Sequence, residues 1–371
     1  MLDLTASNPT QCGFTYDGAG ILAALGDRAA LVYDPEPRGM LRAREAVCAY
    51  YAARGAAVDP QQIFLTTGTS EAYSWLFRLL CDAGDEVLIA QPSYPLFDFL
   101  AQIEDVRLVA YPLVYDHGWQ IDFAGLRERI TARTKAIAVV HPNNPTGHYT
   151  KAAERRELER ICAEHGLALV VDEVFLDSFA EGESPLCGHN DSAEGKSFAV
   201  GEQPCLTFVL SGISKIAALP QMKVAWILAM GPEGERRAAL DRLEVVADTF
   251  LSMNAPVQCA LPVWLAGCGT VQKLIRARTR GNLQNLDQIL LRNLPVTRLE
   301  VEAGWYAVLR VPALERDEDL AVRLLEERGV YVHPGSFFGF GGAGWLVVSL
   351  LTSEEEFRRG MEEVCAEFGA R

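Results

Sequence analysis

The sequence predicts an α/β protein with a large domain, in which a mostly parallel sheet lies between helices, and a smaller α+β domain. Short apolar runs alternate with helical patterns, which is typical of a parallel sheet covered on both faces. The unusual polar clusters directly follow these runs, at the edge where open α/β sheets bind ligands. The length of 371 residues also favours more than one domain.

Six apolar runs are predicted to be strands of the large domain, at residues 62–66, 86–90, 106–113, 135–140, 167–171 and 205–210. Helical patterns follow several of them. One helix begins near Leu41, another begins at the small residues Gly68, Thr69 and Ser70, and a third spans about 150–164 and stops at Gly166. The alternation predicts a sheet with helices on both faces.

From about residue 270 the pattern changes. A long helix to about 293 leaves the sheet domain, followed by predicted strands at 299–311, 330–333 and 345–351 and by a helix at 317–327. Ser353 and Glu356 form a capping-box pattern that predicts the start of a last helix. We therefore divide the chain into an N-terminal arm (1–32) that joins the small domain, a large domain (33–269), and a linking helix with the small C-terminal domain (270–371).

Composition excludes several classes of protein. The net charge of −15 argues against a nucleic-acid surface, which needs clustered cations. No apolar run approaches the length of a membrane span, and the N-terminus has no signal-peptide pattern. The nine cysteines include no C-x-x-C pair and the histidines show no metal spacing, so we expect neither disulfides nor a metal site. These features predict a cytoplasmic protein without membrane or nucleic-acid partners.

The stretch 210–226 organises the predicted site. Lys215 follows an apolar strand and the small-residue turn that contains Ser214, and Lys223 comes eight positions later. A lysine at the mouth of a strand, flanked by hydroxyls, suits a nucleophilic amine that forms a Schiff base. Taken alone, the pattern is more typical of a solvated surface lysine.

Other strand ends carry their own polar groups. The turn of Gly68, Thr69 and Ser70 lies between a strand and a helix, an arrangement that aims backbone N–H groups at an anion. Asp172 follows five apolar residues, where a surface acid or helix cap fits poorly. Asn144 lies in an Asn-Pro-Thr-Gly segment that could be a plain turn, and Tyr94 could be a half-buried core aromatic.

Together, the order and spacing of these motifs from about Tyr33 to the C-terminus resemble the fold-type I pyridoxal-phosphate (PLP) enzymes, specifically the class I and II aminotransferases. The resemblance implies that Lys215 forms the Schiff base with PLP and later moves a proton. It implies that Asp172 holds the pyridine nitrogen protonated, that Asn144 binds the ring oxygen O3′, and that Tyr94 stacks on the ring.

The resemblance also implies a phosphate site and a homodimer with shared active sites. The residues expected to hold the phosphate are Gly68, Thr69, Ser70, Ser214 and Lys223, and Tyr33 is expected to reach the phosphate of the neighbouring subunit. The substrates implied are an amino acid or amine as donor and a keto acid as acceptor. Two alternatives stay open: a PLP-dependent lyase or decarboxylase on the same fold, and a PLP-sensing relative without catalysis.

The sequence departs from the family pattern at three positions. Lys223 replaces an arginine, which keeps the charge but loses the planar fork. Phe175, a cofactor-binding position that is often tyrosine, lacks the phenol that donates to O3′, so we expect a higher pKa of the Schiff base than in typical relatives. Val347 stands where the arginine that clamps the substrate carboxylate is expected, and Arg38 is our candidate replacement. His141, beside the Asn-Pro segment, is expected to be a polar loop residue or to touch the active site.

Overall fold

The computed structural model describes residues 1–178, 197–292 and 295–369. Its strands, in chain order, are β1 (Leu2–Asp3), β2 (Ile63–Thr66), β3 (Glu86–Gln91), β4 (Arg107–Tyr115), β5 (Trp119–Ile121), β6 (Thr134–Val140), β7 (Ala168–Asp172), β8 (Thr207–Gly212), β9 (Ala225–Met230), β10 (Thr297–Arg298), β11 (Tyr306–Arg310), β12 (Val330–Tyr331), β13 (His333–Pro334) and β14 (Trp345–Ser349).

The α-helices follow the same numbering. They are α1 (Gly18–Ala24), α2 (Leu41–Ala52), α3 (Thr69–Leu80), α4 (Leu96–Ile103), α5 (Phe123–Glu128), α6 (Ala152–His165), α7 (Ile213–Ile216), α8 (Glu233–Phe250), α9 (Ala255–Gly267), α10 (Gly269–Leu290), α11 (Asp317–Arg328) and α12 (Glu354–Glu367). Within the described ranges, none of these helices is both long and apolar enough to cross a membrane.

The large sheet has eight strands in the order β2-β9-β8-β7-β6-β3-β4-β5. The pairs β8–β7, β7–β6, β6–β3 and β3–β4 are parallel, whereas β9 is antiparallel to both of its neighbours and β5 is antiparallel to β4. The mostly parallel sheet predicted from the sequence is confirmed. The strands β5 and β9 were not predicted.

Both faces of this sheet are buried, which explains why its strands read as continuous apolar runs. On β7, Leu169 and Val171 belong to one apolar cluster, together with residues of α2, α6 and α9. Ala168 and Val170 on the same strand belong to a second cluster, together with residues of α3, α4 and α8. Because successive side chains of a strand point to opposite faces, a strand covered on both sides has no polar alternation.

The C-terminal part of the chain forms a four-stranded antiparallel sheet, β10-β11-β14-β13. Residues of α10, α11 and α12 share an apolar cluster with one face of this sheet. The predicted strand 299–311 is wrong in its first half, because only residues 306–310 are extended in the sheet and Gly304 turns the chain with a positive φ of 91°. The smaller α+β unit is confirmed.

The start of the chain lies on this smaller unit. β1 pairs in parallel with β12, and Leu4 is fully buried in the same apolar cluster. The last helix begins as predicted, with the Ser353 side chain accepting from the Glu356 N–H. The Glu356 carboxylate does not complete the capping box, because it accepts instead from the Asp3 N–H at 2.9 Å.

Candidate active site

Lys215 lies just beyond the end of β8, in the short helix α7. The strand can end this close to β9 only because residue 212 is glycine. A Cβ atom at Gly212 would lie 2.8 Å from the Ala225 Cβ and 2.9 Å from the Val224 carbonyl oxygen. The close approach of β8 and β9 therefore brings Lys215 and Lys223, which lies just before β9, to the same edge of the sheet.

The Lys215 amine lies among aromatic rings. Its Nζ is 4.8 Å from the ring centre of Trp305 and 5.4 Å from that of Phe175, and the two rings meet edge to face. Burial lowers the pKa of Lys215 from its usual 10.5 to about 8, and the negative charge of Asp172 partly opposes this change. A lysine with a pKa near 8 is partly neutral at physiological pH and can act as a nucleophile.

Asp172 ends β7 and is buried. Desolvation raises the pKa of its carboxyl group from 3.8 to about 6, whereas the Val174 N–H, Tyr73 and the charge of Lys215 act in the opposite direction. Its Oδ1 accepts from the Val174 N–H at 3.1 Å. A pKa of about 6 leaves the carboxylate mostly ionised at pH 7, so it can hold a proton on a nearby base.

The N-terminus of α3 is suited to bind an anion. Thr69 and Ser70 are the first residues of this 12-residue helix, and Gly68 is its N-cap. The helix dipole and the free N–H groups of the first turn favour a negative group here. A Cβ added to Gly68 would meet nothing within 4 Å, so the space beside this turn is open.

Asn144 and Tyr94 come from two loops at the same edge of the sheet. The Asn144 side chain is buried, and its Oδ1 has no hydrogen-bond partner among the described residues. Tyr94 is 44% exposed and its ring meets Phe97 edge to face, at 6.3 Å between centres. A buried amide with an unpaired oxygen, on the same cavity wall as a half-exposed aromatic ring, is suited to hold a planar polar ligand.

These groups line one cavity of about 310 Å³. Its walls are formed by Ser7, Thr69, Ser70, Tyr73, Tyr94, Leu96, Phe97, Leu100, Val140, Asn144, Asp172, Val174, Phe175, Gly212, Ser214, Lys215, Pro220, Lys223, Ala225 and Tyr306. Nearly all of the predicted site residues are therefore together. Gly68 is adjacent as the N-cap of α3, while Tyr33 is 80% exposed and does not line this cavity.

The prediction that Arg38 grips the substrate is wrong. Its Nε and Nη2 donate to Glu244 at 2.8 and 2.6 Å, and Nη1 donates to the Gln61 carbonyl. The guanidinium also lies over the ring of Phe64. Because this arginine is already engaged and does not line the cavity, it is not available to a ligand.

Val347 and His141 are packed side chains. Val347 is fully buried on β14, paired with Val308 and His333, so this position brings no charge to the site. His141 is also fully buried: its Nδ1 accepts from the Thr150 N–H, and its ring is 4.4 Å from that of Tyr149. Neither residue lines the cavity.

Several residues at the site were not predicted from the sequence, and four of them bear on its chemistry. Tyr73, on the second turn of α3, lowers the pKa of Asp172. Ser7 and Tyr306 bring the arm and β11 to the cavity, and Trp305 flanks Lys215. The Trp305–Tyr306 pair after a glycine was visible in the sequence, but no local pattern connects it with a lysine 90 positions earlier.

The cavity fits PLP by the chemistry of its walls. A helix N-terminus with two hydroxyls and a lysine suits a phosphate, and a buried carboxylate suits a protonated ring nitrogen. The side-chain N–H of Asn144, on the cavity wall, suits a ring oxygen, and the amine of Lys215 suits an aldehyde carbon.

Comparison with known proteins agrees with this chemistry. The sequence profile described as aminotransferase class I and II matches residues 26–364. An alanine aminotransferase of Mycobacterium tuberculosis is 29% identical over 339 residues, which cover 89% of this chain and 76% of that protein. A glutamate-pyruvate aminotransferase of Escherichia coli is 27% identical over 276 residues, 74% of this chain, and the aligned segment spans only 66% of the length of that relative.

Solved structures show the same architecture. An aspartate aminotransferase of Thermus thermophilus, a single mutant, superimposes with a TM-score of 0.82 and 26% identity, over 98% of this chain and 91% of the other. An alanine aminotransferase from Pyrococcus furiosus gives a TM-score of 0.87 with 23% identity, over 99% and 92% of the two chains. The second likeness supports the fold alone.

Proposed function

The chain belongs to the class I and II aminotransferase family, and we propose that it is a PLP-dependent aminotransferase. In this proposal it moves an amino group from an amine donor to a carbonyl acceptor. One observation carries the proposal: an amine with a lowered pKa, Lys215, shares a cavity with the buried carboxylate of Asp172 and the N-terminus of α3.

PLP, when bound, supplies a carbonyl carbon that accepts an amine and a ring that withdraws electrons from the bond being broken. The protein supplies position and charge. Lys215 is the residue that we propose to bind the carbonyl carbon and later to move a proton to and from the reacting carbon of the substrate. Its pKa of about 8 suits both roles, because the amine can accept or give a proton near neutral pH.

Asp172 is proposed to hold the proton on the pyridine nitrogen. The carboxylate is buried at the end of a strand that is packed on both faces, so it keeps its place when the ring enters. Asn144 is proposed to donate its side-chain N–H to the ring oxygen O3′, from a buried position beside the cavity. Tyr94 is proposed to cover one face of the ring.

The phosphate is proposed to bind at the N-terminus of α3, between the hydroxyls of Thr69, Ser70 and Ser214. Lys223 adds a single positive charge from the start of β9. Lys223 has a left-handed backbone with φ of 55°, which is uncommon for a residue other than glycine. The backbone at this position is held by the short helix before it and by the strand after it.

We also propose a homodimer in which Tyr33 reaches the phosphate of the neighbouring subunit. The support is a run of exposed apolar side chains, Leu31, Val32 and Tyr33, at 84%, 65% and 80% exposure. A contiguous apolar patch of this kind is typical of a surface that a partner covers. The described cysteines are free, which supports a reducing compartment such as the cytoplasm.

The test is a half-reaction with the holoenzyme. We expect amine donors to convert the absorption of the bound pyridoxal form to that of the pyridoxamine form, and a carbonyl acceptor to restore it. A Lys215→Ala variant should fail to complete the conversion. No conversion with any amine in a broad panel would overturn the proposal. Release of ammonia or carbon dioxide without amine transfer would instead assign the lyase or decarboxylase alternative.

A further inference from the structure

The charged side chains that line the cavity limit the charge that the substrate can carry. Among the described residues, the charged side chains on the cavity walls are Lys215, Lys223 and Asp172. Lys215 must be neutral to act as a nucleophile, so it supplies no lasting positive charge. Lys223 is then the only lasting cation on the described walls.

A bound phosphate more than neutralises Lys223. A phosphate monoester carries about −1.5 to −2 charges at pH 7, against the single positive charge of one lysine. Asp172 would be balanced by the proton on the ring nitrogen. With these groups in place, the described walls have no positive charge left for a substrate carboxylate.

The wall on the side of the smaller unit is neutral. Ser7 and Tyr306 contribute hydroxyls, and burial raises the pKa of Tyr306, so its phenol stays protonated at neutral pH. Val308 lies two residues along β11 from Tyr306, on the same face of the sheet, and its cross-strand partner is Val347. Next to Tyr306, this face therefore presents valines. Arg310, two residues further along β11 on the same face, lies over the ring of Trp345 and donates to the Ala343 carbonyl at 3.0 Å, so it is already engaged.

Two arginines elsewhere in the described chain, Arg54 and Arg278, are already engaged. Arg54 is paired with Asp177 through two nitrogens. Arg278 donates to the carbonyl groups of Cys12 and Leu351. Each would have to leave these partners to reach a carboxylate in the cavity.

We propose that the substrate amine bears no carboxylate on its reacting carbon. The inference rests on the proposed aminotransferase function and narrows its substrate to an amine or amino alcohol with an apolar substituent. Leu96, Phe97 and Leu100 give the cavity an apolar wall for that substituent. A buried carboxylate without a partner is costly, so a neutral group at that position is favoured.

The reaction needs no outside oxidant. In the donor, the C–N bond breaks, the carbon is oxidised to a carbonyl, and water supplies the oxygen. In the acceptor, the carbonyl carbon is reduced by the same two electrons, takes the nitrogen, and its oxygen leaves as water. Because both compounds use the same cavity, the acceptor is an aldehyde or ketone that also lacks a carboxylate beside the carbonyl.

The experiment compares donors that share a side chain. L-Phenylalanine, L-phenylalaninamide and L-phenylalaninol are given to the holoenzyme, and conversion to the pyridoxamine form is followed. Calorimetry provides a second readout, with 3-phenylpropionate and 3-phenylpropanamide as ligands. We expect the amide and the alcohol to react roughly tenfold or more faster than the acid, and 3-phenylpropanamide to bind more tightly than 3-phenylpropionate. The carboxylate of the acid lacks a charge-assisted bond to a cation, and one such bond is worth about a decade in affinity.

A matched pair of variants tests the cause. Ser7→Arg adds a cation to the cavity wall, whereas Ser7→Gln adds a neutral side chain. We expect the arginine variant to bind 3-phenylpropionate more tightly than the glutamine variant does. If both bind it equally, missing positive charge is not what excludes carboxylates and the inference fails.

The outcomes separate the inference from the function on which it rests. If L-phenylalanine reacts faster than its amide and alcohol, the aminotransferase function stands and the inference is overturned. If none of these donors reacts while other amines do, the proposal that the substrate has an apolar substituent is wrong. If no amine of any kind reacts, the proposed function itself fails.

Discussion

Lys215 should destabilise the protein that lacks cofactor, and replacing it with methionine should stabilise that protein. Lys215 is half-buried, with its amine beside the rings of Trp305 and Phe175, and burial lowers its pKa from 10.5 to about 8. A buried ammonium group loses water that it keeps in the unfolded chain. Methionine has a similar length and no charge, so it fills the same space without that loss.

The magnitude follows from the change in pKa. A fall from 10.5 to about 8 corresponds to about 3 kcal/mol, at about 1.36 kcal/mol per pKa unit. Two effects reduce the gain: the amine opens on the cavity, and Asp172 loses the attraction of the lysine. We therefore expect Lys215→Met to raise the free energy of unfolding by about 2 kcal/mol at pH 7.

The contribution of Lys215 to the free energy of unfolding should depend on pH. Between pH 8 and 10.5 the unfolded chain keeps the lysine proton while the folded chain releases it. Stability from this group therefore rises with pH across that window, and below pH 8 the whole cost is present. The difference in the free energy of unfolding between Lys215→Met and the natural protein should be largest at pH 7 and should shrink toward pH 10.5.

Urea unfolding of the cofactor-free proteins at pH 7, 9 and 10.5 measures this difference. Lys223→Met is the matched control, because Lys223 is exposed and lies at the edge of the same cavity. It should change stability by less than about 0.5 kcal/mol at each pH. A Lys215→Met protein no more stable than the natural one at pH 7, or a difference that stays constant to pH 10.5, would refute the reasoning.

Three further predictions concern stability. Burial raises the pKa of Glu173 to about 8, although the hydrogen bonds from Ser197 and Phe198 act in the opposite direction. The natural protein should therefore lose stability as pH rises from 4.5 through 8, and Glu173→Gln should remove that loss and have a higher urea midpoint than the natural protein at pH 8.5. Asp177→Ala should cost about 3–5 kcal/mol in urea unfolding, because it leaves the Arg54 guanidinium unpaired, while Asp177→Asn should cost less. Gly147→Ala should lower the thermal midpoint more than Gly166→Ala does: both have positive φ, but only at Gly147 would the Cβ clash, at 2.5 Å from a carbonyl oxygen.

The predicted part of the fold is the part with a local signal. β6 and β7 read as apolar runs because both faces are covered, and the turn after each carries the residues of the site. The end of α6 was visible because Gly166 adopts a left-handed conformation that favours glycine. In these elements the residue pattern follows directly from the local packing or backbone conformation, so it can be read from the sequence.

The missed elements lack such a signal. β9 follows β8 with only the four-residue helix α7 and a short turn between them, so the alternation of strand and long helix does not apply. β5 has only three residues. α9 has little periodicity because residues 257–261 are all buried, and the helix packs against both α1 and α2.

Long-range partners explain the error at Arg38. The residue follows a turn and precedes a helix, which left it apparently free, but its partner Glu244 lies on α8, 206 residues later. Surface ion pairs of this kind leave no pattern in one sequence. The same limit hid Trp305, whose contact with Lys215 depends on how the two sheets meet.

Two buried charges at the site lower the stability of the cofactor-free protein, and a ligand can remove this cost. In the cofactor-free protein, burial displaces the pKa values of Lys215 and Asp172 toward neutrality, so each stays mostly charged at pH 7 at a cost that the unfolded chain does not bear. They attract each other, but their separate strands β7 and β8, with Asp172 opposite Leu210 in register, fix their backbones independently of that attraction. A ligand that protonates beside Asp172 and binds the neutral amine of Lys215 would remove both costs at once. Cofactor should therefore stabilise the natural protein by more than its contacts alone provide, and the part of that excess that comes from Lys215 should be absent in Lys215→Met.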